Sequence, residues 1–192
     1  MAHISSIGAG MFSDLSVCTD ATAGGTAIGT PTEANLQLAF AASKYTRIRN
    51  VREFPAMGTP PNIVNVPVYG QATSQQVQGQ ADSPTIELTL NYVASDWAAG
   101  TTLGNLVADG VQKVFRFTLL NSEPPVGYDS AGASSIAGDV SDGTQTENSS
   151  YFWIGKIESL MVSPQLSDAN TATVTISVQS AFFGAFTVAP TA

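Results

Sequence analysis

Residues 85–93 (TIELTLNYV) alternate polar and apolar side chains from Thr85 to Tyr92. Ile86, Leu88 and Leu90 fall on one side of an extended chain, and polar residues stand between them. Successive side chains of a β-strand point to opposite faces, so this period predicts a strand with one buried face. Residues 171–180 (TATVTISVQS) repeat the pattern, with threonine and serine in the polar positions. Two such strands favour a mainly β fold.

The segments around these strands predict the remaining architecture. One short helix is predicted over residues 97–110, because its leucines have helical spacing and its last residue is a glycine. Strands are predicted at residues 111–120 and 151–162. Residues 45–69 predict a long hairpin, in which Pro67 marks a weak edge because proline cannot donate to a sheet. The expected fold is a β-sandwich or barrel-like core with one short flanking helix, this hairpin and an N-terminal arm.

Shifts in composition divide the chain into an arm and one domain. Residues 1–30 are rich in glycine, serine, threonine and alanine, and few of them could anchor the segment to a core. We therefore expect an N-terminal arm at 1–30 and a single β-sandwich domain at 31–192. Within the domain, residues 70–83 are glutamine-rich and predict a loop. Residues 121–149 carry acidic side chains and no basic one, which predicts an acidic loop.

The surface chemistry is unusual for a solitary protein. Only 11% of the 192 residues are charged, against about a quarter in average soluble domains, while 43% are hydrophobic. Either the chain is an acidic secreted or virion-type β protein, or copies of itself cover much of its surface. The formal net charge of −8 argues against a protein that holds nucleic acid by its phosphates, because such binding needs clustered lysine and arginine.

The inventory of reactive side chains argues against an enzyme. His3 and Cys18 are the only histidine and cysteine, so neither a catalytic triad nor a histidine or cysteine metal site can be assembled, and no cofactor is expected. A single cysteine also forms no internal disulfide. The first residues lack the basic and apolar regions of a signal peptide, and no apolar run is long enough to span a bilayer. These features predict a protein made and assembled in a cytoplasm, without membrane insertion.

The order of elements from Arg47 to the C-terminus resembles the tail tube (major tail) proteins of long-tailed bacteriophages. The resemblance is carried by RIRNVREFP (47–55), IVNVPVYG (63–70), IELTLNY (86–92), KVFRFTL (113–119), YFWIGKI (151–157) and TVTISV (173–178). It has no single diagnostic motif. The length of the acidic insert and the glycine-rich arm both depart from the family pattern.

The resemblance implies a structural virion protein that self-assembles into hexameric rings, which stack into a hollow tail tube for passage of DNA. Its implied partners are copies of itself, the tape measure protein and the tail-tip and terminator proteins. DNA would pass through the tube during ejection without specific binding. The implied location is the virion, as part of the phage tail, after assembly in the host cytoplasm.

The resemblance also suggests roles for two sets of side chains. The polar positions of the two alternating strands are expected to line the lumen: Glu87, Thr89, Asn91, Thr171, Thr173 and Thr175. The basic cluster and the predicted hairpin are expected to contact neighbouring subunits or rings through Arg47, Arg49, Arg52, Val64, Val66 and Tyr69.

Two alternatives stay open on the sequence. A monomeric carbohydrate-binding or adhesive β-sandwich could use Tyr151, Phe152 and Trp153 as an aromatic platform, although adjacent strand residues point to opposite faces. Another virion ring protein, such as a tail terminator, would form one ring and stop.

Overall fold

The computed structural model describes residues 13–19, 45–58, 63–79, 84–119 and 149–187 of the chain. These ranges are mainly β, as the sequence predicted, and most of their strands join one large antiparallel sheet. The elements are β1 (Asp14–Cys18), β2 (Tyr45–Arg47), β3 (Val51–Glu53), β4 (Ile63–Val66), β5 (Gln75–Gln78), β6 (Thr85–Asn91), α1 (Ala94–Trp97), α2 (Thr102–Asp109), β7 (Lys113–Leu119), β8 (Ser149–Ser163), β9 (Thr171–Val178) and β10 (Phe183–Thr187).

Strand β8 belongs to two parts of the sheet. The strand order is β2-β1-β7-β8-β9-β6-β3, and β10 also pairs with β8. The first half of β8 pairs with β7 and β10, whereas its second half pairs with β9. Gly155 lies at the changeover, opposite Lys113 of β7 and Val178 of β9. Strands that pass from one part of a sheet to another in this way form the corners of sandwiches and barrels.

The two ends of this strand order are almost contiguous in the chain. Strands β2 and β3 are separated by residues 48–50 alone. The amide of Ile48 donates to the carbonyl of Leu15 (2.8 Å), and the amide of Asn91 donates to the carbonyl of Asn50 (2.9 Å). Asn50 bends the chain between the two pairings with a left-handed φ of 61°. The sheet therefore curls back on itself, which matches the predicted barrel-like core.

A single hydrophobic core lies inside the curled sheet. Buried side chains of β1, β7 and the first half of β8 pack in one cluster with those of β6, β9 and the second half of β8. Phe115 stacks on Trp153 with their ring centroids 5.7 Å apart, and the tilted ring of Phe182 lies 4.9 Å from that of Trp153. Phe54, which follows β3 at one end of the strand order, packs on Phe117 of β7 with their ring centroids 5.2 Å apart.

The prediction that residues 1–30 form an arm outside the domain is wrong for the segment Asp14–Cys18. This segment is strand β1, which is buried along its whole length between β2 and β7. Its buried carboxylate, Asp14, accepts hydrogen bonds from Ser16 Oγ (2.6 Å) and Arg47 Nε (2.5 Å). The polar residues Asp14 and Ser16, which make this strand hard to recognise in the sequence, therefore have hydrogen-bond partners inside the domain. The rest of 1–30 lies outside the described residues.

The predicted hairpin across 45–69 is also wrong in its pairing. Strand β4 pairs with β5 in a separate two-stranded sheet, while the segment 45–53 pairs with β1 and β6. Part of the glutamine-rich segment predicted as a loop is thus a strand. Both β4 and β5 are exposed on both faces, so no burial pattern marked the partner of β4.

The helical segment is divided into two helices where one was predicted. Gly100 has φ of 90° and interrupts the segment after α1. The side chain of Thr101 then caps α2 by accepting a hydrogen bond from the amide of Gly104 (3.1 Å). Gly110 ends α2 in the left-handed conformation, as expected. The predicted acidic loop at 121–149 lies outside the described residues except for Ser149, which begins β8.

Gly155→Ala is expected to destabilise the fold by about 1–3 kcal/mol, the usual cost of overpacking a core. A methyl group at this position would lie 2.9 Å from the carbonyl oxygen of Ser177 and 3.2 Å from the rings of Phe115 and Trp153. The free energy of unfolding, measured by chemical denaturation, tests this expectation. Thr173→Ala on β9 is the control and should cost less, because that side chain is only half-buried. Equal stability of Gly155→Ala and the parent chain would contradict the crowding at this corner.

Candidate functional site

The polar positions of β6 and β9 form one continuous surface. The two strands pair in register, with Glu87 opposite Thr175, Thr89 opposite Thr173 and Asn91 opposite Thr171. All six side chains that the sequence assigned to a lumen therefore lie together as three cross-strand pairs. We name this surface the hydroxyl face and define it by Thr85, Glu87, Thr89, Asn91, Thr171, Thr173, Thr175 and Ser177.

The opposite side of the same two strands explains why the polar side chains of the hydroxyl face stay aligned. Ile86, Leu88 and Leu90 of β6 are buried, and each faces a buried residue of β9 across the pair. On the hydroxyl face, the β6 side chains are exposed and the β9 side chains are half-buried. The core thus fixes the register that places the polar groups side by side.

Strand β8 extends the hydroxyl face by residues that the sequence analysis did not assign to it. Lys156 lies opposite Ser177, Ser159 opposite Thr175 and Met161 opposite Thr173. A register shift between Ile157 and Ser159 breaks the regular alternation of β8. Because of this irregularity, a period of two in the sequence does not reveal which side chains of β8 are exposed.

The charges on this side of the sheet are mostly negative. Glu53 of β3 lies opposite Thr89, and Glu87 and Glu158 are the other carboxylates. The one ammonium, Lys156 Nζ, is 2.9 Å from Glu158 Oε2. A hydrogen bond of 2.6 Å from Ser177 Oγ, helped by Lys156, lowers the pKa of Glu158. The face therefore offers hydroxyls and carboxylates, and its lysine is already engaged.

The three arginines expected at subunit contacts do not act as one group. Arg47 is largely covered and forms an ion pair with buried Asp14. Arg52 is exposed and lies 3.9 Å from Asp168 in the turn between β8 and β9. Arg49 is exposed in the bend between β2 and β3. The structure therefore gives Arg47 a role inside the domain and leaves Arg49 and Arg52 at the surface.

The apolar residues expected at subunit contacts lie on the β4–β5 hairpin. Val64 and Val66 are 46% and 41% exposed, and Tyr69 at the turn is fully exposed. Val64 faces Val77 across the hairpin, so apolar side chains of both strands share one side. No charged residue occurs in residues 63–79. An exposed hairpin with this chemistry is typical of an interaction surface.

The prediction that Tyr151, Phe152 and Trp153 could form an aromatic platform for carbohydrate binding is wrong. Phe152 and Trp153 are buried, and Trp153 is part of the hydrophobic core. Tyr151 is half-buried and packs against that core. The three rings therefore offer no shared stacking surface for a sugar.

Other features of the described ranges carry no recognisable chemistry. An open cleft of about 620 Å³ lies beside the bend between β2 and β3 and is lined by Asp14, Arg47, Arg49 and Asp96, among others. In the described part of the chain, no three histidine, cysteine, aspartate or glutamate side chains are grouped as metal ligands. The helices described here are too short or too polar to cross a membrane.

Comparison with solved structures identifies proteins with a similar fold. The SPP1 tail tube protein, solved by solid-state NMR and cryo-EM, matches with a TM-score of 0.51 at 12% identity, over 93% of this chain and 80% of that chain. The chain has a tail tube fold. At this identity the likeness concerns the fold alone.

Two further matches come from contractile injection systems. A chain of the anti-feeding prophage baseplate matches with a TM-score of 0.49 and 9% identity, over 90% of this chain and 93% of that chain. A chain of the PVC sheath/tube terminator structure matches with a TM-score of 0.46 and 10% identity, over 90% and 92% of the two chains. These two TM-scores are too low to support an inference. No protein-family model matches the sequence, and no curated protein sequence matches it.

Ser177→Ala is expected to raise the pKa of Glu158 toward its ordinary value, because the hydroxyl that stabilises the carboxylate is removed. The folded-state pKa is lowered, so this hydrogen bond contributes stability above the unfolded pKa and loses it as the pH falls through the folded pKa. Carboxyl chemical shifts in an NMR titration give the pKa directly. Ser163→Ala, on the same strand as Glu158, is the control and should leave it unchanged. A Glu158 pKa that does not respond to Ser177→Ala would contradict the hydrogen bond.

Proposed function

We propose that this chain is a structural virion protein whose copies form rings that stack into a hollow phage tail tube, through which DNA passes. The observation that carries the proposal is the hydroxyl face, in which the two alternating strands present one continuous, cation-poor surface. The tail tube fold is consistent with this role. Under this proposal the chain has a structural rather than an enzymatic role, and the rings are hexameric as the family resemblance implies.

The chemistry of the hydroxyl face suits the wall of a DNA conduit. Protein cations that contact phosphates release counterions and bind DNA, so a row of lysines along the wall would retain the passing duplex. Threonine and serine hydroxyls bind water and carry no charge, while Glu53, Glu87 and Glu158 repel phosphates. We therefore assign the hydroxyl face to the lumen.

The remaining surface supports self-association. Exposed apolar residues lie on the β4–β5 hairpin and on the end of β8, two places well separated in the chain. A contact between two different surfaces of identical subunits is heterologous, and it closes a ring when its rotation divides a full turn. The low charge of the chain follows if such contacts cover much of the exterior. The tape measure, tail-tip and terminator proteins are the further partners in this proposal, and assembly takes place in the host cytoplasm.

Negative-stain electron microscopy of the purified protein at rising concentration tests the proposed function. Hollow tubes of uniform width are expected, with light scattering that increases as they grow. Single rings that do not stack would instead indicate a ring protein such as a tail terminator. A particle of monomer size at every concentration, with no template present, would contradict self-assembly.

Thr173→Lys is expected to leave tubes intact while making them retain DNA. The added ammonium would recur once per subunit along the lumen wall, and each phosphate contact adds to a salt-dependent affinity. Retention of short duplex DNA by assembled tubes, measured from low to physiological salt, checks this. Thr173→Gln tests size without charge, and Asn105→Lys places the same charge at an exposed position of α2. If Thr173→Lys and Asn105→Lys tubes retained equal amounts of DNA, the assignment of the hydroxyl face to the lumen would be contradicted.

The double substitution Val64→Asp with Val66→Asp is expected to abolish most tube formation without unfolding the domain. Both side chains are exposed in the monomer, so new carboxylates cost little there but would be desolvated in an apolar interface. Sedimentation gives the polymer yield, and circular dichroism gives the fold. The control is Val111→Asp, another exposed valine, which lies outside the hairpin. Normal tube yield from the double variant would exclude the hairpin from the assembly contact.

A further inference from the structure

Within the described ranges, one edge of the second half of β8 has no strand partner. It pairs with β9 on one side, and on the other side the register with β7 ends at Gly155. None of the described strands pairs with the β7 side of residues 158–163. Met161 and Val162, which point to opposite faces, are 61% and 45% exposed. Among the described residues nothing covers these two side chains fully on either face, so the backbone groups of this edge can accept another strand.

Strand β4 has an edge of matching character. It pairs with β5 alone among the described strands, and its four residues are uncharged and exposed. Ile63, Val64 and Val66 supply apolar side chains on both sides of this strand. Pro67 follows directly and lacks an amide hydrogen, which limits further pairing to β4 itself. An uncharged, extended segment of this kind suits strand addition to an open sheet edge.

Strand β3, at the end of the strand order, is a poorer partner for the β8 edge. It has three residues, carries the exposed charges of Arg52 and Glu53, and its pairing with β6 is irregular. Short length, charge and bulges are the features that keep sheet edges from pairing with other chains. The β8 edge has its own irregularity at Ile157–Ser159 but is regular and uncharged beyond it.

We propose that β4 of one copy adds as a further strand to residues 160–163 of β8 in a second copy, beyond Glu158 and the register shift. This inference rests on the proposed function and specifies its subunit contact. The added strand covers Met161 on one face and Val162 on the other. The hairpin and the β8 edge are different surfaces of one chain, so the contact is heterologous and every copy can both give and receive a strand.

Disulfide trapping in assembled protein tests this pairing. Met161→Cys is combined in turn with Val64→Cys, Asn65→Cys or Val66→Cys. Neighbouring residues of a strand point to opposite faces, and cross-strand partners lie within disulfide reach. Mild oxidation should therefore link Met161→Cys efficiently to positions on one face of β4 only. The linked partner is either Val64→Cys or Val66→Cys, with Asn65→Cys unlinked, or it is Asn65→Cys, with both valine positions unlinked. Cys18, the only native cysteine, is fully buried and serves as the background in the parent chain.

Alternating cross-linking along β4, visible as a ladder on non-reducing gels, supports strand addition. Uniform or absent cross-linking at all three positions in tubes that form normally overturns this contact and leaves the proposed function standing. Preferential linking of Met161→Cys to Arg52→Cys overturns it in favour of the β3 edge. Protein that stays monomeric at every concentration overturns both the contact and the proposed function.

Discussion

Strand β8 is the constraint on which the rest of the structure depends. Its first half pairs with β7 and β10, and its second half with β9, so a single run of 15 residues holds both parts of the sheet. The change of partner occurs at Gly155, where neighbouring rings and a carbonyl leave no room for a side chain. Because the segment 45–53 makes a comparable changeover between β1 and β6, the sheet closes around one core.

The hydroxyl face depends on that core. Each polar position of β6 and β9 alternates with a buried aliphatic side chain, and the two strands pair over seven consecutive positions. A slip of one residue would move the aliphatic side chains to the surface and the threonines into the core, at a high cost in free energy. The surface proposed for DNA passage is thus held in register by the same pairing that stabilises the domain.

The sequence predicted the parts of the fold in which burial alternates cleanly. Strands β6 and β9, their polar faces and the mainly β class follow from a period of two, which is the direct signature of one buried face. Strand β1 was not predicted because Asp14 and Ser16 are polar yet buried. The carboxylate of Asp14 accepts a hydrogen bond from Arg47, which is distant in the chain. The β4–β5 pairing escaped because neither strand buries a residue. The contribution of β8 to the hydroxyl face was not predicted because one register shift interrupts its alternation of exposed and buried side chains.

The distribution of charge among the sheet edges offers a physical account of specific assembly. An open edge without charge can pair with any extended segment, so a chain with several such edges would aggregate without order. Here β3 carries Arg52 and Glu53, which cost free energy to desolvate, while β4 and the end of β8 carry no charge. The charges of β3 therefore favour pairing at the uncharged edges over pairing at β3. In the proposed ring, this contact of unlike surfaces would repeat from copy to copy, and the hydroxyl face would need no charged contacts to select the partner.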